Sequence, residues 1–204
     1  MPKTFADWCL NKNNLSVETR HTVDVLLQVA KTQDCCQASQ LLSTCTALFL
    51  NDKQITNLKP LSTLTNLTKL YLSFNNSIAD LRPLSTLTNL TKLEIHWNQI
   101  ADLTPLSTLT NLTILSLNCN EIADLTPLST LTNLTNLSLN NNSITDLKPL
   151  STLSNLTNLF LRNNSITDLK PLSTLSNLTN LFLHNNQTLT DKTCPVKPKS
   201  ICRF

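Results

Sequence analysis

The sequence predicts an α/β solenoid: stacked coils that each contribute one short strand, with a helical cap ahead of them. Three observations predict it. A 22-residue unit repeats from about Thr46 to Asn186, most clearly over residues 91–112, 113–134, 135–156 and 157–178. A fixed period of this length marks a chain whose units bury their apolar faces only against their neighbours. Each unit opens on an alternating stretch, Leu93-Glu94-Ile95 or Leu159-Phe160-Leu161, the pattern of a half-buried strand. It then returns through leucines at three-residue spacing, Leu103, Leu106, Leu109 and Leu112, which suits a tight 3₁₀ rhythm better than a long α-helix.

Residues 1–45 lie outside the period. Thr4 to Lys12 and Ser16 to Lys31 read as helices, with Ser16 as an N-cap and Val25, Leu26 and Val29 on the apolar side of the second. Asp34 can cap a third short helix through Leu42. Such a piece covers the open end of the first coil, where a bare strand edge and core invite aggregation.

Within residues 46–186, an Asn follows three positions after the second aliphatic residue, at Asn98, Asn120, Asn142, Asn164 and Asn186. Turned inward, its amide can satisfy backbone groups of adjacent coils, since it both donates and accepts. Pro105 suits the first turn of the return segment, where its missing N–H is no loss. The second unit, Thr68–Leu90, has one residue more than the others, within Phe74-Asn75-Asn76-Ser77, so a bulge is expected there. In the first unit Lys53 replaces the expected Asn. The chain contains no glycine, so Asn, which tolerates positive φ, is expected wherever a loop needs it. The tail, 187–204, keeps Val196, Ile201 and Phe204 and reads as an opposite cap. Its Lys192, Lys197, Lys199 and Arg203 leave open a basic docking peptide.

The pattern LxLxxNxIxDLxPLxxLTNLT resembles the 22-residue class of leucine-rich repeats found in bacterial internalin-type proteins. The resemblance covers about two thirds of the chain. It implies a curved right-handed solenoid with a parallel sheet on its concave side and short helical turns on the convex side. It also raises attachment to host cells or carbohydrate, which would require export.

Composition narrows the function. A formal charge of +3 and nine aromatics without a basic stripe do not suggest nucleic-acid binding. No apolar run is long enough to span a membrane. The start, MPKTFADWCLNKNNL, lacks the apolar core of a secretory signal, so a cytoplasmic protein is expected. On that reading the many Asn-x-Ser/Thr triplets, such as Asn89-Leu90-Thr91, are products of the repeat rather than glycosylation sites. Six of seven cysteines fall in the caps, at Cys9, Cys35, Cys36, Cys45, Cys194 and Cys202. Buried thiols, disulfides and a zinc site from Cys9, Cys35 or Cys36 and Cys45 all stay open, though the spacing matches no familiar CxxC pair.

Comparison of the units with one another locates the variable face. The return segment hardly changes, whereas the middle strand position reads Phe49, Tyr71, Glu94, Ser116, Ser138, Phe160 and Phe182. The next outward column reads Asn51, Ser73, His96, Asn118, Asn140, Arg162 and His184, and the one after it Asp52, Phe74, Trp97, Cys119, Asn141, Asn163 and Asn185. Strands about 4.8 Å apart make seven of them a surface roughly 29 Å long. Tyr71, Phe74 and Trp97 then cluster at the N-terminal end, with Lys69, Lys92, Glu94 and His96 around them. Phe160, Arg162, Phe182 and His184 form a second cluster. Exposed aromatics and Arg are the residue types that anchor protein interfaces, although neighbouring aromatics also stack along a sheet without any partner. His96 and His184 lie about 19 Å apart, too far to share a proton or metal. Cys119 lies one strand from His96, but no third orienting group or enclosed pocket accompanies the pair. The expectation is a non-catalytic, monomeric scaffold without cofactor or metal, binding a protein or peptide on its concave face; a repeat protein without a specific ligand is the alternative.

Overall fold

The computed structural model describes residues 2–204. Three helices come first: α1 (Phe5–Leu10), α2 (Val17–Ala30) and α3 (Cys35–Thr44). Each starts on a residue whose side chain accepts from the first turn: Thr4 from Asp7 N–H, Ser16 from Thr19 N–H and Asp34 from Gln37 N–H, so each cap satisfies an otherwise orphaned donor. The buried side of α2 is Thr19, Thr22, Val23, Val25, Leu26 and Leu27. Val29, expected on that side, sits at the rim and is exposed, because the helix presents the 19/22/23/26 stripe to the first coil.

Seven strands of three residues follow: β1 (Ala47–Phe49), β2 (Lys69–Tyr71), β3 (Lys92–Glu94), β4 (Ile114–Ser116), β5 (Asn136–Ser138), β6 (Asn158–Phe160) and β7 (Asn180–Phe182). An eighth, β8 (Cys202–Arg203), comes from the tail. All pair in parallel and in sequence order, with each coil's middle residue opposite the next coil's. The return segments are 3₁₀ turns with Pro in their first two positions, as at Thr104–Thr108, matching the three-residue leucine spacing. Leucines and isoleucines from every coil join one continuous core that extends into Phe5, Val23, Leu26, Ala38 and Leu42 at one end and Leu189, Val196 and Ile201 at the other.

Asn holds the coils together where the strands end. The Asn120 amide donates to the carbonyls of Ile95, Leu117 and Asn118 and accepts from Ile100 N–H. Asn98, Asn142, Asn164 and Asn186 repeat the arrangement. In the longer second unit Asn75 takes this place, bonding Leu50 and Leu72 carbonyls and the Lys53 and Ile55 amides. The extra residue is absorbed just after it, where Asn76 has φ 64°. On the convex side Asn89, Asn111, Asn133, Asn155 and Asn177 each donate to a carbonyl of the preceding coil. The Asn-x-Ser/Thr triplets thus have a structural explanation: their amides stitch coil to coil.

Both caps are clasped. Cys9 is bridged to Cys35 and Cys194 to Cys202, while Cys36, Cys45 and Cys119 are free. The first bridge joins α1 to α3 and removes Cys9 and Cys35 from any zinc arrangement. At the junction with the first coil, Thr22 Oγ1 donates to the Asn57 carbonyl at 2.7 Å and His21 Nε2 lies 2.6 Å from the Lys53 carbonyl. That contact uses the coil where Lys53 stands in place of Asn. The tail folds over the last coil, and it does so partly as a strand, with Leu183 N–H donating to the Arg203 carbonyl.

Candidate functional site

Alternation along each strand sends Leu93, Leu115 and their equivalents into the core and leaves their neighbours on the concave face. Glu94 and Phe160 are half-buried and Trp97 is 53% exposed, so the variable columns face outward. The backbone here is demanding. Asp52, Phe74, Trp97, Cys119, Asn141, Asn163 and Asn185, one per coil, all adopt positive φ between 53° and 61°. Asn was expected at such positions and fills three of them. Phe74 and Trp97 adopt the same left-handed conformation, which costs an ordinary L-residue roughly 1–2 kcal/mol.

At the N-terminal end, Phe49 and Tyr71 stack with centroids 4.6 Å apart and planes 9° off parallel. Lys92 Nζ lies 5.1 Å from the Tyr71 centroid and 2.9 Å from a Glu94 carboxylate oxygen. Its hydrogen bond to Glu94 raises the Lys92 pKa, with burial working the other way. Phe74 stacks on Trp97 at 6.2 Å and meets the His96 ring edge-on at 5.0 Å. His96 Nδ1 lies 2.9 Å from the buried Ser73 hydroxyl, and burial holds the imidazole pKa below its ordinary value, against the pull of Glu94. Lys69 is exposed, opposite Lys92 in the register. Phe49, 64% exposed, belongs to this cluster although sequence reasoning left it out; its place in the middle column was the available signal.

At the other end, Phe160 and Phe182 stack at 4.9 Å and 9°. The guanidinium carbons of Arg162 and Arg203 each lie 4.7 Å from the Phe182 centroid. Arg203 arrives with β8, opposite Phe182, a position that sequence periodicity could not assign because the tail leaves the repeat. His184 follows Phe182 by two residues, with Nδ1 buried and no hydrogen-bond partner among the described residues. The two clusters do not touch. Between them Ser116, Asn118, Ser138 and Asn140 bond one another: Ser138 Oγ donates to Asn118 Oδ1 at 2.6 Å and Asn118 Nδ2 to Ser116 Oγ at 3.1 Å. Asn136, Asn158 and Asn180 form a second ladder, and Asn141, Asn163 and Asn185 a third.

Burial pushes the Cys119 thiol pKa up, with a partial opposing contribution from Asn141, which favours the thiol over the thiolate. No helix among the described residues is long and apolar enough to cross a membrane.

A curved stack of strand, asparagine turn and 3₁₀ return defines a repeat solenoid of the leucine-rich kind, and the family model for leucine-rich repeats in two copies matches residues 44–86, 88–130 and 110–153. The chain belongs to the leucine-rich repeat family. Within it the repeats are of the internalin-like class. Internalin C2 of Listeria monocytogenes is similar over 90% of this chain and 91% of its own, at 31% identity and a TM-score of 0.75. Internalin F of the same organism is 24% identical over 83% of this chain and 73% of its own, with a TM-score of 0.57. The ectodomain of a plant membrane receptor kinase from Arabidopsis thaliana, in complex with Casparian strip integrity factor 2, shares the fold at 23% identity, 72% of this chain, 19% of its own and a TM-score of 0.64. No curated protein sequence matches the chain.

Proposed function

We propose that this protein is a non-catalytic interaction scaffold that binds a protein or peptide on its concave face, with 1–45 and 187–204 closing the repeat array 46–186. One observation carries the reading: Phe74 and Trp97 are kept exposed at left-handed positions that Asn fills in other coils. Backbone strain of this sort persists where it serves a site. Tyr71, Phe74 and Trp97 are the anchors of one half, with Lys69, Lys92, Glu94 and His96 setting polarity. Phe160, Arg162, Phe182 and His184 serve the other. A single monomeric chain presents both. The stacking within each cluster favours a second reading, in which the aromatics only brace the sheet.

Affinity capture separates the two. The wild-type chain should enrich a partner that the Tyr71→Ala/Trp97→Ala variant loses and a Ser116→Ala/Ser138→Ala control keeps. Equal capture by all three would leave only the bracing role.

The two cap bridges bear on location. Disulfides persist in oxidising compartments and are rare in reducing ones, so they weigh against the cytoplasmic expectation, and we place the protein in an oxidising compartment. Thiol labelling of the unreduced protein should then modify Cys36, Cys45 and Cys119 at most, with all seven cysteines reacting only after reduction and denaturation. Seven labels without reductant would return the protein to the cytoplasm.

A further inference from the structure

We infer that the C-terminal end of the concave face reads an acidic side chain, or a chain-terminal carboxylate, set two or three residues from an apolar side chain in an extended partner peptide. The inference rests on the proposed scaffold function and names the chemistry of one half of its surface. It starts from charge. Arg162 and Arg203 are both exposed, and neither forms an ion pair or side-chain hydrogen bond among the described residues. Each guanidinium carbon is 4.7 Å from the same Phe182 centroid, so the two are less than twice that distance apart. The outward columns of β4 to β8 contain no Asp or Glu; their polar members are Ser, Asn, His184 and the two arginines. The N-terminal cluster differs, because Glu94 already occupies Lys92 at 2.9 Å.

A guanidinium laid against an aromatic ring keeps its in-plane N–H groups free, and those groups form the fork that matches a carboxylate. Two such forks around one ring make a site with more positive charge than the protein itself satisfies. His184 Nδ1, buried and one strand along from Arg162 in the same column, adds a polar atom that lacks a partner among the described residues. The apolar half of the motif is the Phe160–Phe182 stack. Phe182 is flanked by Arg203, whereas Phe160 faces Ser138 of β5. The Ser138 side chain is much smaller than the Phe160 ring opposite it, and we seat the partner's aliphatic or aromatic side chain at that step in size. From there to the middle of the two arginines is about two strand spacings, roughly 10 Å, which three residues of an extended chain cover at about 3.3 Å each, or two with the reach of their side chains.

The probe is a displayed library of random twelve-residue peptides, selected on the oxidised full chain near physiological salt, with the hits re-measured as free peptides. Selected peptides should carry Asp, Glu or a free C-terminus at a fixed two- or three-residue offset from an apolar residue. Their affinity should fall about 10- to 100-fold on the Arg162→Gln/Arg203→Gln variant, the range expected for charge-assisted hydrogen bonds. Replacing the peptide's acid by its amide should cost a similar factor on the wild type and little on the variant. Both arginine side chains are exposed, so the variant should fold, and an unchanged circular-dichroism melt checks this. Hits without an acid, or acid-bearing hits that bind the variant equally well, overturn the inference. If such hits still depend on Tyr71 and Trp97, the scaffold reading survives without it; if no peptide binds at all, the inference falls, and the scaffold reading, which also covers a folded partner, is decided by affinity capture. Heparin that displaces the peptides and binds with the same dependence on Arg162 and Arg203 also overturns it, because the site would then respond to charge density rather than to a peptide.

Discussion

Immediately before each inward asparagine, coils two and three carry Phe74 and Trp97, whereas coils five, six and seven carry Asn141, Asn163 and Asn185. The backbone is nearly the same at all five, with φ of 61° and 58° in the first group and 56°, 53° and 61° in the second. In the second group the side chains suit that backbone and bond one another in a ladder, at 2.7 Å in both steps. In the first group they suit it poorly and stand exposed. The left-handed turn is therefore imposed by something other than the residue that occupies it. Leucine packing below and the inward asparagine beside it fix the turn, and this frees the column to vary.

The largest expected effect tests that division of labour on adjacent residues. Asn164 donates to three carbonyls and accepts from Ile144 N–H in a buried setting, so Asn164→Ala leaves several backbone groups unsatisfied. A loss of about 3 kcal/mol in urea unfolding is expected, given 1–3 kcal/mol for each buried group left without a partner. Asn163→Ala, one residue away, should cost only about 1 kcal/mol, the ordinary difference for a left-handed site. Equal losses would mean that the exposed column helps to fix the turn, and the contrast would dissolve.

A reciprocal swap gives a smaller and more pointed effect. Trp97→Asn should hold or raise stability, by up to about 1 kcal/mol, because the strained position receives the residue that suits it. Asn141→Trp should lower stability by a similar amount, and both shifts are readable as urea midpoints at an unchanged slope. If Trp97→Asn were instead destabilising by more than about 1 kcal/mol, the indole would be bracing the sheet through Phe74, and the strain could not be assigned to binding. A neutral or stabilising result that also abolishes partner capture would identify Trp97 as a residue retained for recognition at the fold's expense.

The contrast also shows what could be read in the sequence. The array was legible because each coil repeats the same local problem: leucines at fixed spacing, Pro opening the return and Asn closing the strand. Periodicity averages over coils and so reveals whatever they share. What it cannot reveal is what happens once. Arg203 joins the concave face because the tail supplies β8, and nothing in the non-repeating segment 187–204 signals a two-residue strand. The cap bridges were equally hidden, since cysteine spacing does not specify which pairs close. The candidate site fell between these cases. Its columns came from aligning the coils, but the partners within it, such as Arg203 with Phe182 or Ser73 with His96, depend on neighbours 21 and 23 residues away in the chain.

The smallest expected effect concerns His96, whose neighbours in the same column, Ser73 and Asn118, are neutral. Burial depresses its pKa despite the nearby Glu94, which is itself engaged with Lys92. The folded protein thus takes up this proton less readily than the unfolded chain, whose imidazole titrates near 6.5. Stability from His96 is then fully present above about pH 6.5 and is lost as pH falls through that value toward the folded pKa, below which the penalty is constant. Between pH 7.5 and 5 the wild-type unfolding midpoint should therefore fall further than that of His96→Asn, which installs the residue found at positions 118 and 140. His21 and His184 are present in both proteins, and so are the carboxylates whose pKa values are lowered, such as Asp80 beside Arg82; they cancel in the difference. Parallel midpoints across that range would show that His96 keeps ordinary solvent access. The Ser73–His96–Phe74 contact would then be a surface association, too loose to hold the aromatic cluster in the fixed arrangement that the proposed recognition requires.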